Sequence, residues 1–354
     1  MRALLSGDMP RSRLVAALLA AVVILLALAP FLFPGAKALS VAAKILVFIL
    51  LVASYDLLLG YTGIVSFAHT MFYGIGAYGV AIACTRLGPT WPAIVVGVLC
   101  ALALSGLLAL VIGLFSLRVR AIFFAMITLA VASAFQTMAS QLSDLTGGED
   151  GLTFKLPDVL SPSFSFADEP FLGASLDGRF VTYYLVFFAV LALFLMLLRI
   201  VNSPFGRVLQ AIRENDFRAE AIGYRSVVFR TMSNVLAALF ATLAGALLAL
   251  WLRYTGPDTT LSFEIMLDIL LIVVIGGMGT LYGAVIGSVL FVLAQNYLQD
   301  LLQLGASALE GVPLLGALVT PDRWLLWLGV LFVLSVYHFP TGIVGRLRAA
   351  RLPG

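Results

Sequence analysis

Apolar stretches of about twenty residues alternate along this chain with short polar breaks, and twenty residues is the helical length that crosses the hydrocarbon core of a bilayer. Ten such stretches occur, near Leu14–Phe33, Leu39–Leu59, Ile64–Thr85, Trp91–Leu114, Ala121–Leu142, Val181–Val201, Thr231–Trp251, Ser262–Ile275, Leu281–Leu302 and Trp324–Phe339. The third is interrupted by glycines and the eighth is short. The pattern predicts an all-α integral membrane protein: one transmembrane domain over residues 1–354, of about ten helices.

The basic residues orient it. With the N-terminus inside, inner segments hold Arg2, Arg11, Arg13, Arg118, Arg120, Arg199, Arg207, Arg213, Arg218, Arg225, Arg230, Arg346, Arg348 and Arg351. The outer segments hold only Lys37, Arg86, Lys155, Arg179, Arg253 and Arg323, so the excess of Lys and Arg on cytoplasmic loops predicts both termini inside. Ten spans give the matching parity. A cleaved signal peptide is the alternative for the first span, since Arg11 and Arg13 precede it. Its apolar stretch is longer than such peptides carry, and its removal breaks the parity.

Composition agrees that lipid is the solvent. The chain is 62% hydrophobic and 11% charged, against about 25% charged in soluble domains. Cys84 and Cys100 both lie in apolar runs and read as packing residues. No metal-ligand cluster, nucleophile–base pair or phosphate-binding glycine loop is present, so neither a catalytic residue nor a cofactor is expected in this chain.

Ionisable groups inside spans cost about 2.5–3.5 kcal/mol on insertion scales and are functional suspects. Lys44, Asp56, His69, Glu264 and Asp268 qualify. Glu264 and Asp268 share a helix face, and His69 beside Ser66 and Thr70 fits either a path or a hydrogen bond within the bundle. Gly60, Gly63, Gly74, Gly76 and Gly79 suggest a broken or bent span, whose freed backbone groups must face protein or water. Gly279, Gly283 and Gly287 fall on one helical face and suit close helix packing or a moving seam.

Two polar intervals are long. Residues 143–180, placed outside, carry seven acidic residues against Lys155 and Arg179, with three prolines, and read as a solvated connector or a docking surface. Residues 202–230, placed inside, hold the densest charge: seven charged residues among the 24 from Ser203 to Ser226. Ser203-Pro204 signals a helix start and Gly223 a stop. Val208, Ile212, Ala219 and Ile222 recur at helical spacing with Leu209 beside them, and Glu214 and Arg218 form an i,i+4 pair. The segment predicts a short amphipathic helix, whether interfacial, a connector or a docking element; its mixed signs disfavour simple attraction to anionic lipid.

Residues 207–216, RVLQAIREND, followed by AEAIGY, resemble the cytoplasmic loop of ABC-importer permeases for branched-chain amino acids, specifically the LivM-type (M subunit). LGYTGIVSFAH at 59–69 with GIGAYG at 74–79, TGGEDGL at 146–152 and IGGMGTLYG at 275–283 are similar to further stretches of that family, in its order.

The resemblance implies a coupling helix that seats in an ATP-hydrolysing partner, with Arg213, Glu214, Asp216, Glu220 and Gly223 on the docking surface. It implies a path or gate around Gly60, Gly63, Ser66, His69, Gly74, Gly76, Glu264, Asp268, Gly276, Gly277 and Gly279. Gly147, Gly148, Glu149 and Asp150 then face a binding protein. The implied partners are an H-type permease, two ATPase subunits that bind ATP and Mg, and a periplasmic solute-binding protein, at a bacterial inner membrane. The implied solutes are leucine, isoleucine and valine, with urea, amides or small organic acids as alternatives. The rival is an ion-coupled secondary transporter using Asp56, His69, Glu264 or Asp268. An intramembrane enzyme lacks a catalytic constellation.

Overall fold

The computed structural model describes residues 13–33, 35–116, 121–162, 164–165, 177–308, 323–339 and 342–349. The first half contains α1 (Arg13–Leu32), α2 (Ala36–Asp56), α3 (His69–Leu87), α4 (Trp91–Ser116), α5 (Ala121–Gln141) and the single turn α6 (Ser143–Thr146). Then come α7 (Gly178–Asn202), α8 (Pro204–Glu214), α9 (Asp216–Ala221), α10 (Ser226–Leu252) and the turn α11 (Pro257–Thr260). The chain continues through α12 (Phe263–Gly276), α13 (Leu281–Ala308), α14 (Trp324–His338) and α15 (Gly342–Ala349).

Each of the ten apolar stretches contains a helix, although in the third it starts only at His69. Among the described residues nine helical stretches are long and apolar enough to cross a membrane. The remaining one, α3, carries His69, Tyr73, Tyr78, Arg86 and three glycines, and it survives this polarity by being sheltered. It packs between α4 and α10 with most of its residues buried. The most enclosed helix is α2: from Val41 to Asp56 every residue except Lys44 is buried. A helix apolar on all sides needs protein or lipid on all sides, and here protein surrounds it. The outer helices show the complement, with Leu18, Ile24, Val95, Leu99, Phe123, Met126, Leu325 and Val333 exposed, surfaces suited to lipid and not to water.

Glycine sets the closest contacts. A side chain at Gly76 would overlap the Thr242 carbonyl, and one at Gly245 the Tyr73 carbonyl, so α3 and α10 touch backbone to backbone. Gly79 and Gly97 do the same for α3 and α4. This contact replaces the hydrophobic drive that lipid removes. Gly74, Gly76 and Gly79, predicted as part of a break, therefore lie in an unbroken helix; the break falls earlier, at residues 63–68. The predicted single face of Gly279, Gly283 and Gly287 also divides. Gly283 and Gly287 pack α13 against α12, whereas Gly279 lies in the turn before α13.

Among its described residues, the interval after α5 is tied to the bundle. β1 (Leu152–Thr153) pairs antiparallel with β2 (Tyr254–Thr255), and Phe154 N–H donates to the Arg253 carbonyl at 3.1 Å. Arg253, the one non-glycine residue with positive φ among the described residues, donates its guanidinium to the Leu160 carbonyl at 3.0 Å. Arg86 donates to the Asp144 carbonyl at 2.5 Å, tying α3 to the same cap.

Candidate functional site

At the bundle end opposite this cap, the end of α2 is remade. After Asp56 the helix widens into a π-helical turn, Leu57–Thr62, which Gly63 closes with φ 73°. Such a turn displaces the ordinary i→i−4 bonds and leaves carbonyls in need of donors. Local side chains supply some repair. Thr62 Oγ1 donates to the Leu57 carbonyl and lies 2.9 Å from Ser233 Oγ, while Phe67 N–H finds Thr128 Oγ1 at 3.0 Å. The backbone of residues 63–68 then runs non-helical into α3, with Ile64, Ser66 and Ala68 buried and Gly63 exposed.

Arg213 completes the repair. From α8 its Nη1 donates to the carbonyl of Gly60 inside the π turn. The second glycine-rich turn meets the same point: Gly279 N–H donates to Asp56 Oδ1 at 2.9 Å. Gly279 has φ 77°, and a Cβ there would stand 3.0 Å from both Arg213 Nη1 and the Gly60 carbonyl oxygen. Gly63 is equally close, with Arg213 Cγ 3.1 Å from where its Cβ would be. Gly277 in turn lies against Gly342 at the start of α15. One arginine thus spans the charged loop, the broken helix and the turn entering α13. We refer to it as the latch.

The charged segment itself departs from the predicted single helix. Asn215 breaks it at φ −159° and caps α9, its Oδ1 accepting from Arg218 N–H at 2.9 Å. This is ordinary N-cap chemistry for asparagine. Ser203 does not cap α8; its hydroxyl donates back to the Ile200 carbonyl at 2.6 Å. Pro204 does open the helix, and Gly223, at φ 99°, closes the segment with Tyr224 N–H on the Ala219 carbonyl at 3.1 Å.

The five residues expected on a docking surface take different roles. Arg213, though exposed, reaches the Gly60 carbonyl with Nη1. Asp216 pairs with Arg230 at 3.1 Å, and Glu220 accepts from the Ser226 hydroxyl, so both brace the loop. Arg213, Glu214, Glu220 and Gly223 are all exposed, and Asp216 is partly so. The predicted apolar face divides as well: Leu209, Ile212 and Ala219 are buried, but Ile222 is 68% exposed beside Phe217 at 83%. Those two apolar side chains project from the loop, and sequence reasoning missed Phe217 because it sat among charges.

The expected path residues fall into separate places. Gly60, Gly63, Gly276, Gly277 and Gly279 gather at the latch end. Ser66 and His69 are buried in the core, where His69 Nε2 lies 2.8 Å from Ser54 Oγ and the ring meets Tyr55 edge-on. Glu264 and Asp268 belong to a second polar site toward the cap. There Lys44 Nζ donates to Gln295 Oε1 at 2.9 Å, and Gln295 Nε2 donates to Asp268 Oδ2 at 3.3 Å. The side chains line a cavity of about 440 Å³ with Phe48, Tyr73, Trp251 and Ile265. A larger cavity of about 740 Å³, between α12, α13 and α14, shares Glu264, Asp268 and Gln295 and is otherwise largely apolar. Gln295, being uncharged, gave no signal in the sequence.

In the cap, Gly147 and Gly148 sit in a turn of positive φ, Gly147 pressed against the backbone of Gly151, while Glu149 and Asp150 are exposed.

Comparison with known proteins places these features in a family. Residues 37–336 match the family described as the branched-chain amino acid transport system permease component. Similar proteins include the high-affinity branched-chain amino acid transport system permease protein LivM of Salmonella typhimurium, 25% identical over 80% of this chain and 69% of that protein. The probable branched-chain amino acid transport permease protein LivM of Methanocaldococcus jannaschii is 24% identical over 82% of this chain and 88% of its own length. BraD of Pseudomonas aeruginosa, a high-affinity branched-chain amino acid transport system permease protein, is 25% identical over 84% and 91%. No solved structure matches the chain.

Proposed function

The chain belongs to the branched-chain amino acid transport system permease family, and from that premise we propose that it is the membrane-spanning subunit of a binding-protein-dependent importer for branched-chain amino acids, driven by ATP. Its partners are an H-type permease, two ATPase subunits and a periplasmic solute-binding protein, and its membrane is the bacterial inner membrane, with residues 202–230 on the inner face and residues 143–180 outside. ATP and Mg are bound by the partners.

The observation that carries this reading is the latch. A loop that projects Phe217 and Ile222 into water, while holding the carbonyl of Gly60 through Arg213, is suited to passing an external push into a broken helix. Apolar side chains standing on a polar loop fit a partner's cleft. Movement of α8 displaces Arg213 and leaves the Gly60 carbonyl to find another donor. Gly279 and its bond to Asp56 lie within reach of the same displacement. The turns at Gly63 and Gly279, both in the left-handed region, are the points where the backbone can change direction. A static connector gains nothing from anchoring its arginine there.

Uptake in vesicles containing the chain with its ATPase and permease partners tests the reading. Supplied with L-leucine, a solute-binding protein and ATP, they are expected to accumulate the amino acid, and an imposed proton gradient without ATP is expected to drive none. Accumulation that follows the gradient and ignores ATP overturns the reading in favour of an ion-coupled carrier.

A further inference from the structure

The second polar site has the chemistry of a ligand. We infer that the cavity around Lys44, Gln295 and Asp268 holds the zwitterionic head of an aliphatic amino acid in transit; this deepens, and rests on, the permease reading.

Lys44 and Asp268 are opposite charges in facing helices, yet they are not paired directly. Among the described residues the ion pairs within 4.0 Å are Lys37–Asp300 and Asp216–Arg230. Instead the amide of Gln295 stands between them, its oxygen accepting from Lys44 and its nitrogen donating to Asp268. An amino acid presents the same two faces on one carbon: a carboxylate that accepts and an ammonium that donates. The amide therefore marks where such a head fits, with the carboxylate toward Lys44 and the ammonium toward Asp268. Charge-assisted bonds of this kind are stronger than the amide's own, so the ligand competes well for both groups.

The surroundings suit the rest of the molecule. Phe48, Tyr73, Trp251 and Ile265 give the cavity an apolar wall for an aliphatic side chain, and its volume of about 440 Å³ lies within the ordinary range of small-ligand pockets. Asp258, Thr259 and Ser262 line the same cavity and belong to the segment that follows β2, so its polar rim lies toward the cap. Asp268 and Gln295 also line the larger, largely apolar cavity, so the two cavities meet at this polar pair. Two charges kept in a membrane bundle are costly unless something uses them.

The test is equilibrium binding of tritiated L-leucine to the assembled complex in lipid nanodiscs, without the solute-binding protein. Lys44→Gln keeps a donor for Gln295 and Asp268→Asn keeps an acceptor, so packing and hydrogen bonds are conserved while each charge is lost. Saturable binding is expected in the wild type and about tenfold weaker binding in each variant, the scale of one charge-assisted contact. Asp268→Glu is expected to restore most of it. 4-Methylpentanoate, which lacks the ammonium, is expected to compete poorly. Equal leucine binding by the wild type and both charge-removing variants overturns the assignment. So does a complex that imports leucine with ATP yet binds none saturably, and in both cases the permease reading stands. A complex that imports no amino acid with ATP overturns that reading and this one together.

Discussion

Gly60→Ala is expected to prevent accumulation of the folded protein. Its Cβ would fall on Asp56 Oδ1 and on the Gly279 nitrogen, two atoms that are themselves hydrogen-bonded at 2.9 Å. Neither can retreat: Asp56 is buried in the most enclosed helix, and Gly279 is backbone. Relief requires breaking that bond, which leaves a buried carboxylate short of a donor at about 1–3 kcal/mol. Forced repacking adds about 1–3 kcal/mol. Together these are a large share of a native protein's marginal stability, about 5–15 kcal/mol. Fluorescence-detected size-exclusion chromatography and thermal melting in detergent measure the loss. Gly35→Ala, where nothing lies within 4 Å of the added carbon, is the matched control and should melt with the wild type. Equal melting of Gly60→Ala and wild type would contradict the close contact at the latch.

Arg213→Met is expected to separate the two activities of the assembly. The side chain keeps an unbranched apolar stem but loses the guanidinium that donates to the Gly60 carbonyl. A hydrogen bond from a charged donor is worth about 1.5–3 kcal/mol, so transport per ATP hydrolysed should fall by about tenfold or more. The loop retains Asp216–Arg230, the Asn215 cap and the Phe205–Phe229 stack at 5.8 Å, so it stays folded and the partner ATPase still docks and turns over. Arg213→Lys is expected to rescue only in part, because the shorter lysine brings its charge less far toward the Gly60 carbonyl that Arg213 Nη1 reaches. Uptake and phosphate release, measured in the same vesicles, give the ratio directly. An unchanged ratio in Arg213→Met would remove the latch from the mechanism.

How much of this was legible in the sequence follows from the physics of each feature. Helix positions were, because about twenty apolar residues leave few alternatives in lipid. Polar α3 was also found, as a glycine-interrupted run, but its glycines were misassigned. Periodicity cannot tell a glycine that ends a helix from one that admits a neighbouring backbone, as Gly63 and Gly76 show. The charged loop was conspicuous against an apolar chain, yet its break at Asn215 was hidden, since a helical spacing of apolar residues continued across it. Arg213 stood out as a charge, but which way it points depends on a carbonyl 153 positions away in sequence. The Lys44–Gln295–Asp268 arrangement joins three helices, and only their packing brings an amide between two charges that local pattern left isolated.

Import driven by ATP requires the loop bearing Phe217 to lie on the side where ATP is hydrolysed. Phe217→Cys in a chain with Cys84→Ser and Cys100→Ser, treated with a membrane-impermeant maleimide, tests this. Labelling in inverted vesicles and its absence in right-side-out vesicles is the predicted result. Labelling of right-side-out vesicles instead would place the loop outside, beyond the reach of any ATPase, and contradict the account.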